Sequence, residues 1–324
     1  MKKNYALIIV VLLFFGCEQD EKATDVFLDE VTFGAVLRTV SFNNSQFTID
    51  DPSSFFSVNL EEQDEGDGAA MEKVDIYVQF KDNTLTGTGD FSTNEVHVKT
   101  LSPDDFAQGP NGLPRTTLEL SYSELMNATQ VSHSLISCKD QFLIRLELTL
   151  ADGRVFSVDN SSAIVIAFQS FFGSPFCYTI NIIEPIDEDL FTGFYFYSSV
   201  EDGPLGPTFG PPRLVEIKKG HSNSVRVVAL KHVLSHPTNE LPKDYEFSIV
   251  CDEVVMEKNQ LSGVNGKCLA VANSPLLMGP GDENAPINLD DDGVFELWFV
   301  EAYNGWDGLC GFDSAPSKIR FTKQ

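Results

Sequence analysis

The residues with the clearest capacity for recognition chemistry lie in one short stretch, Tyr303-Asn304-Gly305-Trp306-Asp307-Gly308. Sugars are bound in water by stacking their CH faces on exposed aromatic rings, while amides and carboxylates hold the hydroxyls. Asn-Gly and Asp-Gly pairs favour tight turns and so make this stretch a loop. Trp306 and Tyr303 can then stand outward as stacking rings, with Asn304 and Asp307 as hydroxyl partners; the competing reading folds Trp306 back over the end of a sheet. Trp298 alternates with Phe295, Leu297 and Phe299, which places it on the opposite strand face beside Glu296, either exposed or packed between domains. Phe171, Phe172 and Phe176 around Gly173-Ser174-Pro175 form either a docking tip or core filling.

Two acidic clusters, Glu61-Glu62 with Asp64, Glu65 and Asp67, and Asp290 to Asp292, carry enough oxygens to interest calcium. Neither has the EF-hand spacing, so both read first as solvated loops and no metal site is assigned. The pair His232 and His236 has i,i+4 spacing, but Pro237 and a preceding strand argue for a loop, with no glutamate between them as in the zinc-protease signature. Nucleophile elbows, phosphate-cradling loops and dinucleotide fingerprints are missing from suitable contexts. Carboxylate pairs for glycoside hydrolysis can be drawn from 48 acids in many ways, so no pair is evidence of catalysis, and no cofactor is implied.

Six cysteines occupy positions 17, 138, 177, 251, 268 and 310. Cys17 follows Lys2, Lys3, the apolar run Tyr5 to Phe15, and Gly16, the marks of a cleaved export signal over residues 1–16. The apolar run falls short of the roughly 20 residues a spanning helix needs. This N-terminus resembles a bacterial lipoprotein signal, which implies that Cys17 is acylated and holds the chain to membrane lipid. Export into an oxidising compartment favours disulfides among the other five. The expected pairs are Cys138 with Cys177 and Cys268 with Cys310, which leaves Cys251, at the end of an alternating strand, buried and free.

The chain carries 48 acidic against 22 basic residues, a formal net charge of −26, and loss of Lys2 and Lys3 with the signal deepens the excess. Such a field repels phosphate backbones and anionic headgroups, which excludes nucleic acid as a partner.

Period-2 alternation dominates the elements that must position these residues. Val74, Ile76, Val78 and Phe80 point one way in the stretch Val74 to Phe80, and Phe142 to Leu150 repeats the device. Further strands are predicted at Ala35 to Phe42, Phe55 to Leu60, Thr117 to Tyr122, Ile164 to Phe168, Tyr178 to Ile183, Phe194 to Tyr197, Leu214 to Lys218, Val225 to Lys231, Tyr245 to Cys251, Val294 to Val300 and Lys318 to Thr322. Asp152-Gly153 marks a hairpin, and one short helix capped by Ser123 is predicted over Ser123 to Thr129. The fold class is therefore all-β, with antiparallel strands in sandwich or barrel form. Glu184-Pro185 and the acids after it suggest a boundary, giving a tether at 17–25, a β-sandwich domain at 26–185 and a second β-sandwich or barrel domain at 186–324.

Several segments carry a resemblance: Cys17 with Glu18-Gln19-Asp20-Glu21, Cys138-Lys-Asp-Gln-Phe-Leu-Ile-Arg-Leu-Glu-Leu-Thr-Leu-Ala-Asp-Gly-Arg, Phe171-Phe-Gly-Ser-Pro-Phe-Cys-Tyr, and Leu190-Phe-Thr-Gly-Phe-Tyr. Thr208-Phe-Gly-Pro-Pro and the closing Ile319-Arg-Phe-Thr-Lys-Gln add to it. With these the chain resembles surface lipoproteins of Bacteroidota with immunoglobulin-like domains, loosely of the SusE type, which accompany SusC/SusD-like uptake pairs. The resemblance implies an immunoglobulin-like first domain, an outer-membrane location facing the cell exterior, and a non-catalytic accessory role in binding a glycan or other nutrient beside an importer. It transfers no binding residue. The alternative is a structural or scaffold subunit of an outer-membrane complex with no small ligand.

Overall fold

The computed structural model describes residues 34–85, 89–167, 170–204, 206–234, 241–266, 274–303 and 314–324. Among the described residues ten strands precede Glu184: β1 (Val36–Asn44), β2 (Gln46–Thr48), β3 (Phe55–Gln63), β4 (Met71–Lys81), β5 (Val96–Leu101), β6 (Ala107–Gln108), β7 (Pro114–Ser121), β8 (Gln141–Leu150), β9 (Val155–Phe156) and β10 (Cys177–Ile183). They form one sheet in the order β1-β3-β7-β6 and another in the order β2-β10-β8-β4-β5, with β9 beside β8. The pairs are antiparallel except β10 with β2. Alternation explains the arrangement, since Phe142, Ile144, Leu146, Leu148 and Leu150 of β8 all turn inward while the residues between them stay half-exposed. Both sheets bury their apolar faces in one core, with Phe56, Val58 and Leu60 from the first meeting Ile76, Ile144 and Ile180 from the second.

Ten strands follow: β11 (Gly193–Glu201), β12 (Arg213–Lys219), β13 (Val225–Leu230), β14 (Lys243–Val250), β15 (Glu253–Met256), β16 (Gln260–Gly266), β17 (Ser274–Gly279), β18 (Ala285–Pro286), β19 (Val294–Glu301) and β20 (Ala315–Lys323). They make one continuous antiparallel sheet in the order β16-β17-β19-β20-β11-β12-β13-β14-β15-β18. The sheet bends over on itself, with β15 and β18 against β19 and β14 against β16. Its concave side holds a second core rich in rings, among them Tyr195, Phe247, Phe295 and Phe321. The class is all-β.

Residues 35–324 belong to one compact unit. The connection between the two cores is tied down by Arg226, a fully buried guanidinium that donates to the carbonyls of Leu190, Asn223 and Val225. A small cluster of Ile183, Val250 and Cys251 bridges the halves, and Ser222 and Ser224 both donate to Gln46 Oε1 across the same junction.

Two local expectations change. The helix spans Tyr122–Thr129 and is capped by Ser121, whose hydroxyl accepts from Glu124 N at 3.1 Å while the Glu124 carboxylate accepts from Ser121 N at 3.4 Å. Ser-x-x-Glu at this place is the reciprocal capping pattern, two residues before the expected cap Ser123. Of Ile164 to Phe168, expected as a strand, the first three residues belong instead to the short helix Ala163–Ile166, whose peptide groups pair within the turn, Ile166 N to Ser162 O and Ala167 N to Ala163 O, and Phe168 lies outside the described residues.

Candidate functional site

Where the two halves meet, strand ends and turns bring together polar groups that are far apart in sequence. The start of β10 carries Cys177, Tyr178 and Thr179, while Phe42 lies near the end of β1 and Ser45 in the turn after it. Facing them from the second half are His221 before β13, Glu246 on β14, and the turn Glu257-Lys258-Asn259 between β15 and β16. These residues line a cavity of about 230 Å³ with mainly apolar walls. The His221 ring stacks on Phe42 at 5.0 Å between centroids, and its Nε2 lies 2.6 Å from Ser45 Oγ and its Nδ1 3.6 Å from Glu246 Oε2.

Burial sets the charges here, because low dielectric penalises the ionised form. It pushes the Glu246 carboxyl up to about 7, helped by Glu257 and Asp244 nearby. It raises the Glu257 carboxyl as well, against the bond that Glu257 Oε1 accepts from Ser248 at 2.5 Å. It lowers His221 to about 4, so the imidazole is neutral at pH 7, and it raises the Cys177 thiol, which makes that sulfur a poor nucleophile.

Two open depressions adjoin the cavity. One, of about 630 Å³, shares Thr179, Glu257 and Lys258 with it and adds Asn83, Gln141 and Asn181 from the first half. The other, of about 560 Å³, runs between Trp298 and the turn Pro280-Gly281-Asp282-Glu283, and that turn walls both depressions. Tyr303 lies between the cavity and this second groove and lines both. Its amide donates to Leu277 O at 3.0 Å, and its ring lies so close over Gly279 that a Cβ there would sit 2.6 Å from the ring. The Trp298 indole donates to Glu296 Oε2 at 2.8 Å and holds Lys318 Nζ 4.6 Å above its ring. Both aromatic side chains are thus fixed by neighbours while still half-exposed to the groove.

Of the loop singled out by sequence, Tyr303 is placed on a groove wall, whereas Asn304, Trp306 and Asp307 lie outside the described residues, as do Cys17, Cys268 and Cys310. Trp298, on the outer face of β19, is half-buried and packs partly against the second core. The expected Cys138–Cys177 pair is corrected: Cys138 is bonded to Cys251, with Cα atoms 6.2 Å apart, and Cys177 is free. Cys177 begins β10, while Cys138 sits by the other end, where Lys139 N donates to Ile182 O. Five residues of strand, at roughly 3.3 Å each, exceed the reach of a disulfide. Cys251, expected free, is carried to Cys138 by the β14–β15 hairpin turn.

His232 is buried against Glu301, Nε2 to Oε2 at 3.0 Å, and Glu301 Oε1 accepts from Thr208 Oγ1 at 2.5 Å. Leu234 N donates to His232 Nδ1, so both ring nitrogens are used internally, and His236 lies outside the described residues. In the first acidic loop Asp64 folds back to accept from the amides of Gly66, Gly68 and Ala70. Glu61 and Glu62, expected in a solvated loop, instead lie in β3 and are fully buried: Glu61 pairs with Arg115 and Arg38, whereas neither carboxyl oxygen of Glu62 has a protein partner. In the second, Asp292 accepts from Phe191 N and Tyr195 Oη and pairs with Lys323. Among the described residues no three His, Cys, Asp or Glu side chains converge to hold a metal.

The junction residues carried no local sequence signal, since His221, Glu246, Glu257 and Cys177 meet only through long-range strand pairing. No protein-family model matches the chain, and no curated protein matches it. Among solved structures, the sporulation control protein Spo0M of Bacillus subtilis is similar at a TM-score of 0.25 and 10% identity, over 89% of this chain and 90% of that one.

Proposed function

We propose that the protein is a non-catalytic accessory binding protein for a glycan or related nutrient, held on the outer face of an outer membrane by lipid on Cys17 and working beside a SusC/SusD-like importer. The observation that carries the reading is the groove between Trp298, Tyr303 and the turn Pro280 to Glu283. Held aromatic faces beside the carboxylates of Asp282 and Glu283 form the combination that grips sugars in water. The adjoining depression adds the amides of Asn83, Gln141, Asn181 and Asn284, so an extended chain would find hydroxyl partners beyond the first sugar. An immunoglobulin-like first domain belongs to the same proposal, and its support is the two facing sheets around one core. Its test is recovery of the native protein from its own membrane in mild detergent, followed by mass spectrometry of what remains bound. A SusC/SusD-like pair in the eluate supports the reading, and a lone lipoprotein counts against it.

One observation favours a scaffold role instead. Val294, Thr322, Phe196 and Leu214 are direct cross-strand neighbours on β19, β20, β11 and β12, and the three apolar members are 56%, 43% and 55% exposed. With Phe194 beside them they make an apolar strip on the outer sheet face, of the kind that meets protein partners. Under that reading a partner protein covers the strip and the groove stays without ligand.

A further inference from the structure

The cavity at the junction differs from the neighbouring groove in its mainly apolar walls. Phe42, Val158, Ile166, Pro175, Tyr178 and Ile180 supply apolar walls, and Glu246 and Glu257 stand together at one side. The other charged or titratable groups of the lining are His221, Lys258, Cys177, Tyr178 and Tyr303, and burial raises the last three so that they are uncharged at pH 7. His221 has its Nε2 on Ser45 and is kept neutral by burial, and Asp244 adds negative charge next to Glu246. Lys258 is the cation on the cavity wall, and its Nζ donates to Thr179 Oγ1 at 3.1 Å. Among the described residues the carboxyl of Glu246 therefore finds one neutral imidazole at 3.6 Å and no ammonium or guanidinium, while two acids repel it. Cavity carboxylates left with one cation between two of them favour a ligand that brings another.

We propose that this cavity binds a small organic cation, a primary or secondary ammonium on an apolar body, with the nitrogen at Glu246 and Glu257 and the body against Phe42, Tyr178 and Ile166. The aromatic walls suit such a ligand twice, since they bury its apolar part and attract its charge through their π faces. The cavity volume of about 230 Å³ limits the body to about one ring or a short branched chain. The upward shift of Glu246 supports the assignment, because a bound ammonium would return that carboxyl to its ionised form. The site shares Tyr303 with the groove and Glu257 and Lys258 with the adjoining depression, but its apolar walls and Glu246 belong to neither, and Trp298 does not line it.

The test is titration calorimetry of the folded, exported chain with 2-phenylethylammonium, and with 2-phenylethanol as a neutral counterpart of the same shape. The ammonium should bind about tenfold or more tightly than the alcohol, and Glu246→Gln should remove that preference while leaving the alcohol unaffected. Ile166→Trp, which fills the cavity from the short helix, should abolish both. Binding of the ammonium to the unaltered protein should weaken as pH falls from about 7 to 5, a readout that needs no variant. Trp298→Ala should change none of these. The proposal is overturned if the ammonium gives no saturable heat at millimolar concentration, or if alcohol and ammonium bind alike.

Discussion

Cys138 and Cys251 are joined across the junction, their Cα atoms 6.2 Å apart and 113 residues apart in sequence, so the crosslink ties the loop before β8 to the hairpin turn after β14. A loop of that length restricts the unfolded chain strongly. Double substitution of both cysteines by serine should cost about 2–5 kcal/mol of stability, read as a lowered denaturant midpoint. Beside the bond, Lys139 reaches Asp252 at 2.6 Å and Glu253 at 2.8 Å, so the bonded neighbourhood also pairs charges across the two halves. Reductant added to the unaltered protein should reproduce the loss, whereas Cys177→Ser should leave the midpoint nearly unchanged.

Glu62 should make the protein less stable as the solution becomes alkaline. Burial and the neighbouring Asp64 raise its carboxyl from the ordinary 4.5 to about 8, so the folded state holds a proton that the unfolded chain releases near 4.5. A group raised in the folded state contributes stability that is fully present below pH 4.5 and lost as pH climbs through about 8. The loss across that window is on the order of 3–5 kcal/mol. Thermal melts from pH 4 to 9 should therefore flatten in Glu62→Gln, and a wild-type curve that stays level over the window would contradict the assignment. Glu246, raised to about 7, contributes a smaller slope of the same sign that remains in the variant.

Glu301 joins three buried partners at one end of the second sheet, through His232 on one oxygen and Thr208 on the other, with Ser317 Oγ 2.7 Å from the Thr208 hydroxyl. Truncation of Glu301 leaves His232 Nε2 without its acceptor and removes the acceptor of the Thr208 hydroxyl, which keeps only Ser317. Glu301→Ala should destabilise the fold by about 3–5 kcal/mol, and Glu301→Gln, which keeps one acceptor and the same shape, by less. Equal effects of the two substitutions in denaturant unfolding would refute this account.

Sequence alternation located most strands because each sheet has one buried face, as in β8, where a residue pattern of period two is enforced along the whole strand. It failed at Ile164, where a short apolar run closes a turn on its own peptides. The disulfide was misread because cysteine spacing ignores which end of β10 a residue occupies. Tyr303 was legible from its Asn-Gly neighbourhood and Trp298 from its place opposite Leu297. His221, Glu246 and Glu257 were not, since 25 residues and two strand pairings separate His221 from Glu246 and no local pattern encodes their meeting.

The groove assignment makes a mutational claim that structure and stability leave untouched. Trp298 is half-exposed on an outer strand face, held by Glu296 and Lys318, so Trp298→Ala should leave the melting temperature within a few degrees. Loss of one stacking ring should weaken a bound glycan by about 1–3 kcal/mol, or roughly tenfold to a hundredfold in affinity.

The most direct measurement is a glycan array probed with the folded, exported chain, followed by calorimetry of the best ligand against Trp298→Ala and Tyr303→Ala. The account predicts at least one saturably bound glycan whose affinity falls in both variants while their melting curves stay close to wild type. An array without binding, or a glycan whose affinity both substitutions leave intact, would contradict a glycan-binding groove and move the apolar strip of Phe196, Leu214 and Val294 to the centre of the protein's function.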